Sequence, residues 1–330
     1  MILMSKRFLA AACAAATALA LSACSSTAPS STSGAKDGTL TVMASFYPLQ
    51  YLAEKIGGEH VTVTSLTPAG AEPHDLELSP KTVDALSSAD AVIYLAGFQS
   101  AVDEAIEQQA PKTVIDVSPA VQLVEAGVDA NHPSEEEDED TDETQSSEAD
   151  GHEDHHHDMS ADPHFWLDPV RMANAATLVG DKLAEANPAN AEMYKTNAKA
   201  LKDELTSLGN DLVSKTSTCQ IKTFVTAHTA FGYLADRTGL TQVGISGLDP
   251  DSSPSPARLA EISQIAKDQG VTTIFTEALI DPKIAQTLAD DLGITTAVLD
   301  PIESQTDPSK DYSGVMNDNI NALTKALNCQ

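Results

Sequence analysis

Twice along this chain, short apolar runs rich in β-branched residues alternate with helix-patterned segments, and the stretch between the two series, 169–217, carries no strand signal. In the first series, strand patterns fall at 39–45, 61–66, 91–96 and 113–117, separated by helical patterns at 49–56, 83–88 and 100–109. In the second, strands are expected at 222–227, 240–245, 271–276 and 295–299, with helices at 231–237, 256–269, 282–292 and 311–327. Such alternation closes into parallel sheets with helices packed on their faces. The fold class is therefore α/β, with two parallel-sheet lobes, and 330 residues are enough for two domains. In the middle stretch, Asp168 offers a helix cap with Pro169 at the first helical position, and Asn187-Pro188 ends that helix. A second helix, dense in Ala, Leu, Lys and Glu, follows from 189 to 215. At a rise of 1.5 Å per residue it reaches roughly 40 Å, long enough to join both lobes as one stiff connector. Two ordinary surface helices on one lobe is the alternative.

Charge narrows the function. A net charge of -30 argues against binding to nucleic acid, whose phosphates demand the opposite sign, and against electrostatic docking to anionic lipid. It suits a protein that attracts cations. No apolar run beyond the N-terminal leader approaches the ~20 residues of a membrane span. Within 131–158 stand thirteen Asp or Glu and five histidines, His132, His152, His155, His156 and His157, with no Lys or Arg. A solvated acidic linker would explain the acids but not the histidines. Imidazole and carboxylate together prefer borderline divalent metals, zinc first, so this loop is expected to gather weakly held ions.

The N-terminus reads as an export signal, with Lys6 and Arg7 before an apolar run at 8–21. It closes on Leu21-Ser22-Ala23-Cys24, which resembles the lipobox of bacterial lipoproteins. The expectation is a signal peptide at 1–23, lipidation of Cys24, and a Ser/Thr/Gly tether at 24–38. Cys13 leaves with the signal. Cys219 and Cys329 then remain as a lone pair in an oxidising compartment, where a disulfide is expected.

Outside the acidic loop there are four histidines, and three share a context. His74 follows the second strand of the first lobe, and His228 directly follows the first strand of the second. In open α/β sheets ligands bind beyond the carboxyl ends of strands. His164 stands where the acidic loop ends. Three imidazoles converging between the lobes would make a zinc site, with a carboxylate or water as fourth ligand.

The three surrounding segments are Gly70-Ala-Glu-Pro-His74-Asp-Leu-Glu-Leu-Ser-Pro80, Asp162-Pro-His164-Phe-Trp-Leu-Asp-Pro169 and Thr226-Ala-His228-Thr-Ala-Phe-Gly-Tyr233. They resemble the ligand motifs of the zinc- and manganese-specific ABC-transporter solute-binding proteins, the family 9 metal receptors. The likeness covers 39–328, and the acidic His-rich loop is typical of the zinc-uptake branch. It implies an N-terminal lobe at 39–168, linking helices at 169–217 and a C-terminal lobe at 218–330, with metal held between the lobes. It also implies a monomeric, lipid-anchored, extracytoplasmic receptor that captures Zn²⁺ and delivers it to a membrane permease. Such a receptor is not an enzyme, and the chain has no His-Glu-x-x-His motif. A manganese receptor of the same family and a surface adhesin are the alternatives. For the fourth ligand the resemblance favours Glu303, with Asp300 and Glu277 as alternatives. Glu277 and Glu72 are also placed to orient a ligating histidine.

Overall fold

The computed structural model describes residues 38–125 and 161–330. The signal, Cys24 and the tether up to residue 37 lie outside the described residues, as do the five histidines of the acidic loop.

In chain order the first lobe holds β1 (Leu40–Ala44), α1 (Tyr47–Gly57), β2 (Val61–Ser65), α2 (Pro80–Leu86), β3 (Ala91–Tyr94), α3 (Ser100–Gln109), β4 (Val114–Asp116) and the short α4 (Ser118–Val121). Its four strands are parallel in the order β2-β1-β3-β4. After the linking helices α5 (Pro169–Ala186) and α6 (Ala191–Thr216) come β5 (Thr223–Thr226), α7 (Gly232–Thr238), β6 (Thr241–Gly244), α8 (Pro256–Asp268), β7 (Thr273–Thr276), α9 (Lys283–Leu292), β8 (Thr295–Val298) and α10 (Tyr312–Ala326). The second sheet repeats the first topology as β6-β5-β7-β8, again all parallel.

Helix starts follow side-chain chemistry. Ser79, Asp168, Ser255 and Asp311 each accept a backbone N–H of the first turn of α2, α5, α8 and α10. Such a cap stabilises a helix by about 1 kcal/mol. Three of these helices carry proline in the first turn, where its missing N–H costs nothing.

α5 and α6 form a tight antiparallel pair joined by a single turn of 3-10 helix, Pro188–Asn190. Two glycines allow the approach. A Cβ on Gly180 would collide with the Ala198 methyl, and one on Gly209 would meet Val170 Cγ2 at 2.9 Å. α6 packs against α1 of the first lobe and α10 of the second, so it joins both. One contiguous apolar core runs from Val42, Phe46 and Leu52 through Met172, Val179, Leu205 and Leu212 to Phe224, Phe231, Met316 and Ile320. Each sheet buries its other face separately. Met43 and Val92 pack beneath α2 and α3, and Val225 and Ile274 beneath α8 and α9.

Polar ties reinforce this joint. Buried Asp168 accepts two hydrogen bonds from Arg237 of α7, and Arg171 donates to the carbonyls of Val121 and Gln122 while its guanidinium covers the Tyr233 ring. The expected pair Cys219–Cys329 is a disulfide, spanning 110 residues and fastening the entry of the second lobe to the C-terminus. Among the described residues, no helix is long and apolar enough to cross a membrane.

Candidate metal centre

Four loops deliver one donor each to a point between the sheets. His74 comes from the loop after β2, where Glu72 Oε1 accepts the His74 backbone N–H at 2.8 Å. Behind it, buried Gln99 donates to the Pro73 carbonyl and to Thr67, and Thr67 donates to Ser45 of the β1 exit. His164 precedes the 3-10 turn that leads into α5. Asp162 Oδ1 accepts both its backbone N–H, at 2.9 Å, and its Nδ1–H, at 2.8 Å. His228 leaves β5 and is held the same way by Glu277 at the end of β7. Its carbonyl also accepts from Thr226 and Gln242.

Glu303 follows β8 through a turn with an unusual backbone. Ile302 has φ +58°, a left-handed conformation that costs a β-branched residue about 1–3 kcal/mol. Asp300 stays in that turn. Its Oδ1 accepts the Ile302 N–H at 2.8 Å, and Asn319 clamps its backbone at 2.9 and 2.6 Å.

The cluster of His74, His164, His228 and Glu303 is compact. The Nε2 of His164 lies 3.2 Å from that of His74 and 3.4 Å from that of His228. Glu303 Oε1 lies 3.4, 3.3 and 3.4 Å from the Nε2 atoms of His74, His164 and His228. Five of the six donor–donor edges measure 3.2–3.4 Å and all four atoms lie within 4.8 Å of one another; a tetrahedron of that edge has its centre about 2.0 Å from its corners, which is the Zn–N and Zn–O bond length. The side chains of His164, His228 and Glu303 are at most 1% exposed, and that of His74 is 5% exposed.

Electrostatics agree with a cation at that centre. The Nδ1 atoms of His164 and His228 face carboxylates, so in the neutral rings their Nε2 lone pairs point inward. They meet Glu303 Oε1, a buried oxygen without a properly formed hydrogen bond among the described residues. Lone pairs facing a carboxylate oxygen repel unless a ring proton or a metal cation sits between them. Burial opposes charge on His228, but its hydrogen bond to Glu277 and the nearby Glu303 outweigh that and push it up to about 10. His164 is raised as well, Asp162 and Glu303 together overcoming burial. Burial lowers His74. Burial alone would raise Glu303, but the three facing imidazoles hold it well below the usual carboxylate range. Burial and then the charge of Glu303 push Glu72 up to about 8.

Of the residues singled out from sequence, His74, His164, His228 and Glu303 come together. Asp300 points into its own turn, and Glu277 stands behind His228. Asp162 escaped sequence reading as a partner of His164, although a signal existed. Glu72-Pro73-His74 and Asp162-Pro163-His164 share an acid-Pro-His spacing in which the acid accepts the histidine N–H two residues on. Trp166, two residues after the second histidine, has no role legible in the sequence, whereas its indole N–H reaches the Pro301 carbonyl at 2.7 Å.

Two lobes of one topology, closing on an enclosed three-imidazole, one-carboxylate cluster, define a metal-binding solute-binding protein. The chain matches the family described as zinc-uptake complex component A, periplasmic (ZnuA), over residues 42–326, and belongs to it. It is 35% identical over 293 residues to the zinc-binding lipoprotein AdcA of Streptococcus pneumoniae, covering 87% of this chain but 56% of that one. The chain thus spans little more than half the length of this relative. It is 31% identical to the high-affinity zinc uptake system protein ZnuA of Bacillus subtilis, over 94% of both chains. Among solved structures it resembles the laminin-binding protein Lmb of Streptococcus agalactiae, described as bifunctional with adhesin and metal-transporting activity. That match has a TM-score of 0.74 at 29% identity, covering 87% of this chain and 99% of the other.

Proposed function

We propose that this protein is the zinc receptor of an ABC importer, binding one Zn²⁺ tightly through His74, His164, His228 and Glu303 and passing it to a membrane permease. The observation that carries this reading is the four-donor cluster, five of whose six edges measure 3.2–3.4 Å. Three imidazoles and one carboxylate favour zinc over manganese, which prefers oxygen ligands and higher coordination. Four protein donors leave no open position for an activated water, which suits binding and not hydrolysis. The names of AdcA and ZnuA support the same cargo.

Cys24, followed by the 24–38 tether, would hold the receptor by lipid to the outer face of the membrane, a reading supported by the lipoprotein name of the pneumococcal relative. The acidic histidine loop would add weaker sites. Calorimetric titration of the mature protein with zinc and with manganese tests the proposal. One tight zinc per chain, bound more strongly than manganese, is the expected result, and tighter manganese binding refutes it. The likeness to Lmb brings adhesion as a second reading, whose mark would be metal-independent binding to laminin.

A further inference from the structure

We propose that Trp166 is the positioning residue of the fourth donor: its indole N–H holds the strained turn that aims Glu303 at the three imidazoles. It thereby sets how tightly the ion is held. This rests on the four-donor reading above and goes beyond it.

Trp166 is the only tryptophan of the chain and is fully buried. Its Nε1 donates to the Pro301 carbonyl at 2.7 Å, and its own carbonyl accepts the Tyr312 hydroxyl. Its ring packs 5.2 Å from His164, 4.8 Å from Phe46 and 5.8 Å from Phe98. Phe98 in turn stands edge-on to His74 at 4.9 Å. One side chain therefore touches the second donor, reaches the first through one ring, and hydrogen-bonds the loop of the fourth.

The need for such a hold comes from Ile302. A β-branched residue at φ +58° tends to relax toward negative φ unless its neighbours are fixed. Three groups fix the residues up to Ile302, and beyond Glu303 the Ser304 hydroxyl accepts the Gly70 backbone N–H at 2.7 Å. Asp300 Oδ1 takes the Ile302 N–H, Asn319 clamps Asp300, and Trp166 takes the Pro301 carbonyl. The first two belong to the second lobe. Trp166 alone arrives from the loop that carries His164. Without its N–H the Pro301 carbonyl loses this partner, and the same peptide is left held from its N–H side by Asp300 alone, which loosens it. Relaxation at Ile302 then swings Glu303 Oε1 away from the Nε2 atoms.

The test exploits the single tryptophan. Replacing it throughout with benzothienylalanine keeps the ring shape and substitutes sulfur for the N–H. Zinc affinity is read by chelator competition, cobalt(II) absorption reports the coordination geometry, and thermal melting of the metal-free protein reports the fold. Zinc affinity should fall by about tenfold to a hundredfold, the range for groups that orient a metal ligand. The intense tetrahedral cobalt bands should weaken as water replaces the carboxylate. In a Glu303→Ala background the same replacement should change affinity by no more than about twofold, because the residue acts through Glu303. Unchanged affinity overturns the inference. So does an equal loss in the Glu303→Ala background, which would make Trp166 a packing residue only.

If the isostere does not fold, Trp166→Phe with and without Ile302→Gly decides instead. Glycine accepts the left-handed turn, so it should restore part of the zinc affinity even though it removes packing. Absence of any restoration also overturns the proposal. Wild-type protein that binds no zinc tightly would overturn the four-donor reading itself, a result distinguishable from all of these.

Discussion

Glu277 Oε2 lies 2.7 Å from His228 Nδ1, and Glu277 Oε1 accepts the backbone N–H of the same histidine at 3.1 Å. One carboxylate thus fixes both the ring and the chain of the donor. With Nδ1 as the N–H, the Nε2 lone pair is free for metal. In Glu277→Gln the amide can donate to Nδ1 and favour the opposite tautomer. Zinc affinity should fall about 10–100-fold with the fold retained, measured by chelator competition and circular dichroism. Unchanged affinity would show that the tautomer is set elsewhere.

Zinc uptake should expel protons. His228, raised to about 10, is protonated at neutral pH in the metal-free protein, and His164 is raised too, whereas His74 is lowered and already neutral. Ligation requires neutral rings, so about one to two protons should leave per zinc near neutral pH. The slope of calorimetric enthalpy against buffer ionisation enthalpy measures this, and a slope of zero would contradict it.

The same shift has the opposite sign for the metal-free fold. A histidine raised from about 6.5 contributes stability that is full below that unfolded-state value and is lost as pH rises toward about 10. Between those limits the His228 contribution should wane while zinc affinity grows. Denaturant titrations of zinc-free and zinc-loaded protein across that window should therefore diverge.

Glu303 and Asp300 should separate site from scaffold. Glu303→Ala removes a charged donor worth about 3 kcal/mol, roughly a hundredfold in zinc affinity. Asp300→Ala removes the bond to the Ile302 N–H and should lower stability by about 1 kcal/mol, with the smaller effect on zinc. Reversed effects on affinity in folded variants would make Asp300 the ligand.

Reduction of Cys219–Cys329 should cost stability without touching the donors. For a loop of 110 residues the chain-entropy model gives up to about 4–5 kcal/mol. Melting with and without reductant measures it, and the reduced protein should still bind one zinc tightly.

Deleting 132–158 should leave the tight site intact. The described ends of that loop meet at an antiparallel bridge between Glu125 and Ala161, and the Tyr233 hydroxyl accepts from the Val124 N–H and donates to the Asp162 carbonyl. This closure does not depend on the deleted residues. Loss of tight binding would make the loop the principal site.

The strand and helix order was legible because each element carries its own period and punctuation. Ser255-Pro256 marked the start of α8, and the same signal at Ser79-Pro80 starts α2 three residues before its apolar pattern at Val83. α1 likewise begins at Tyr47, with Pro48 in its first turn, two residues before the helical pattern at 49–56. α4, Ser118–Val121, is too short to show a period. The three histidines stood out by their motifs and strand ends. Their supports did not, because Glu277 and His228, or Trp166 and Pro301, lie 49 and 135 residues apart and meet only through the tertiary fold.

The core shared across the linking helices limits how this protein can be cut. A fragment beginning after α6 would keep all of β5–β8 yet uncover Phe224, Phe231, Met316 and Ile320, side chains that the intact chain buries in one cluster with residues of α5 and α6. A fragment ending before α5 would leave Phe46 and Leu52 without their neighbours. Despite their matching topologies, the lobes are halves of a single article of manufacture, not modules. Chimeras that exchange one lobe between relatives should keep α5, α6 and α10 from the same parent.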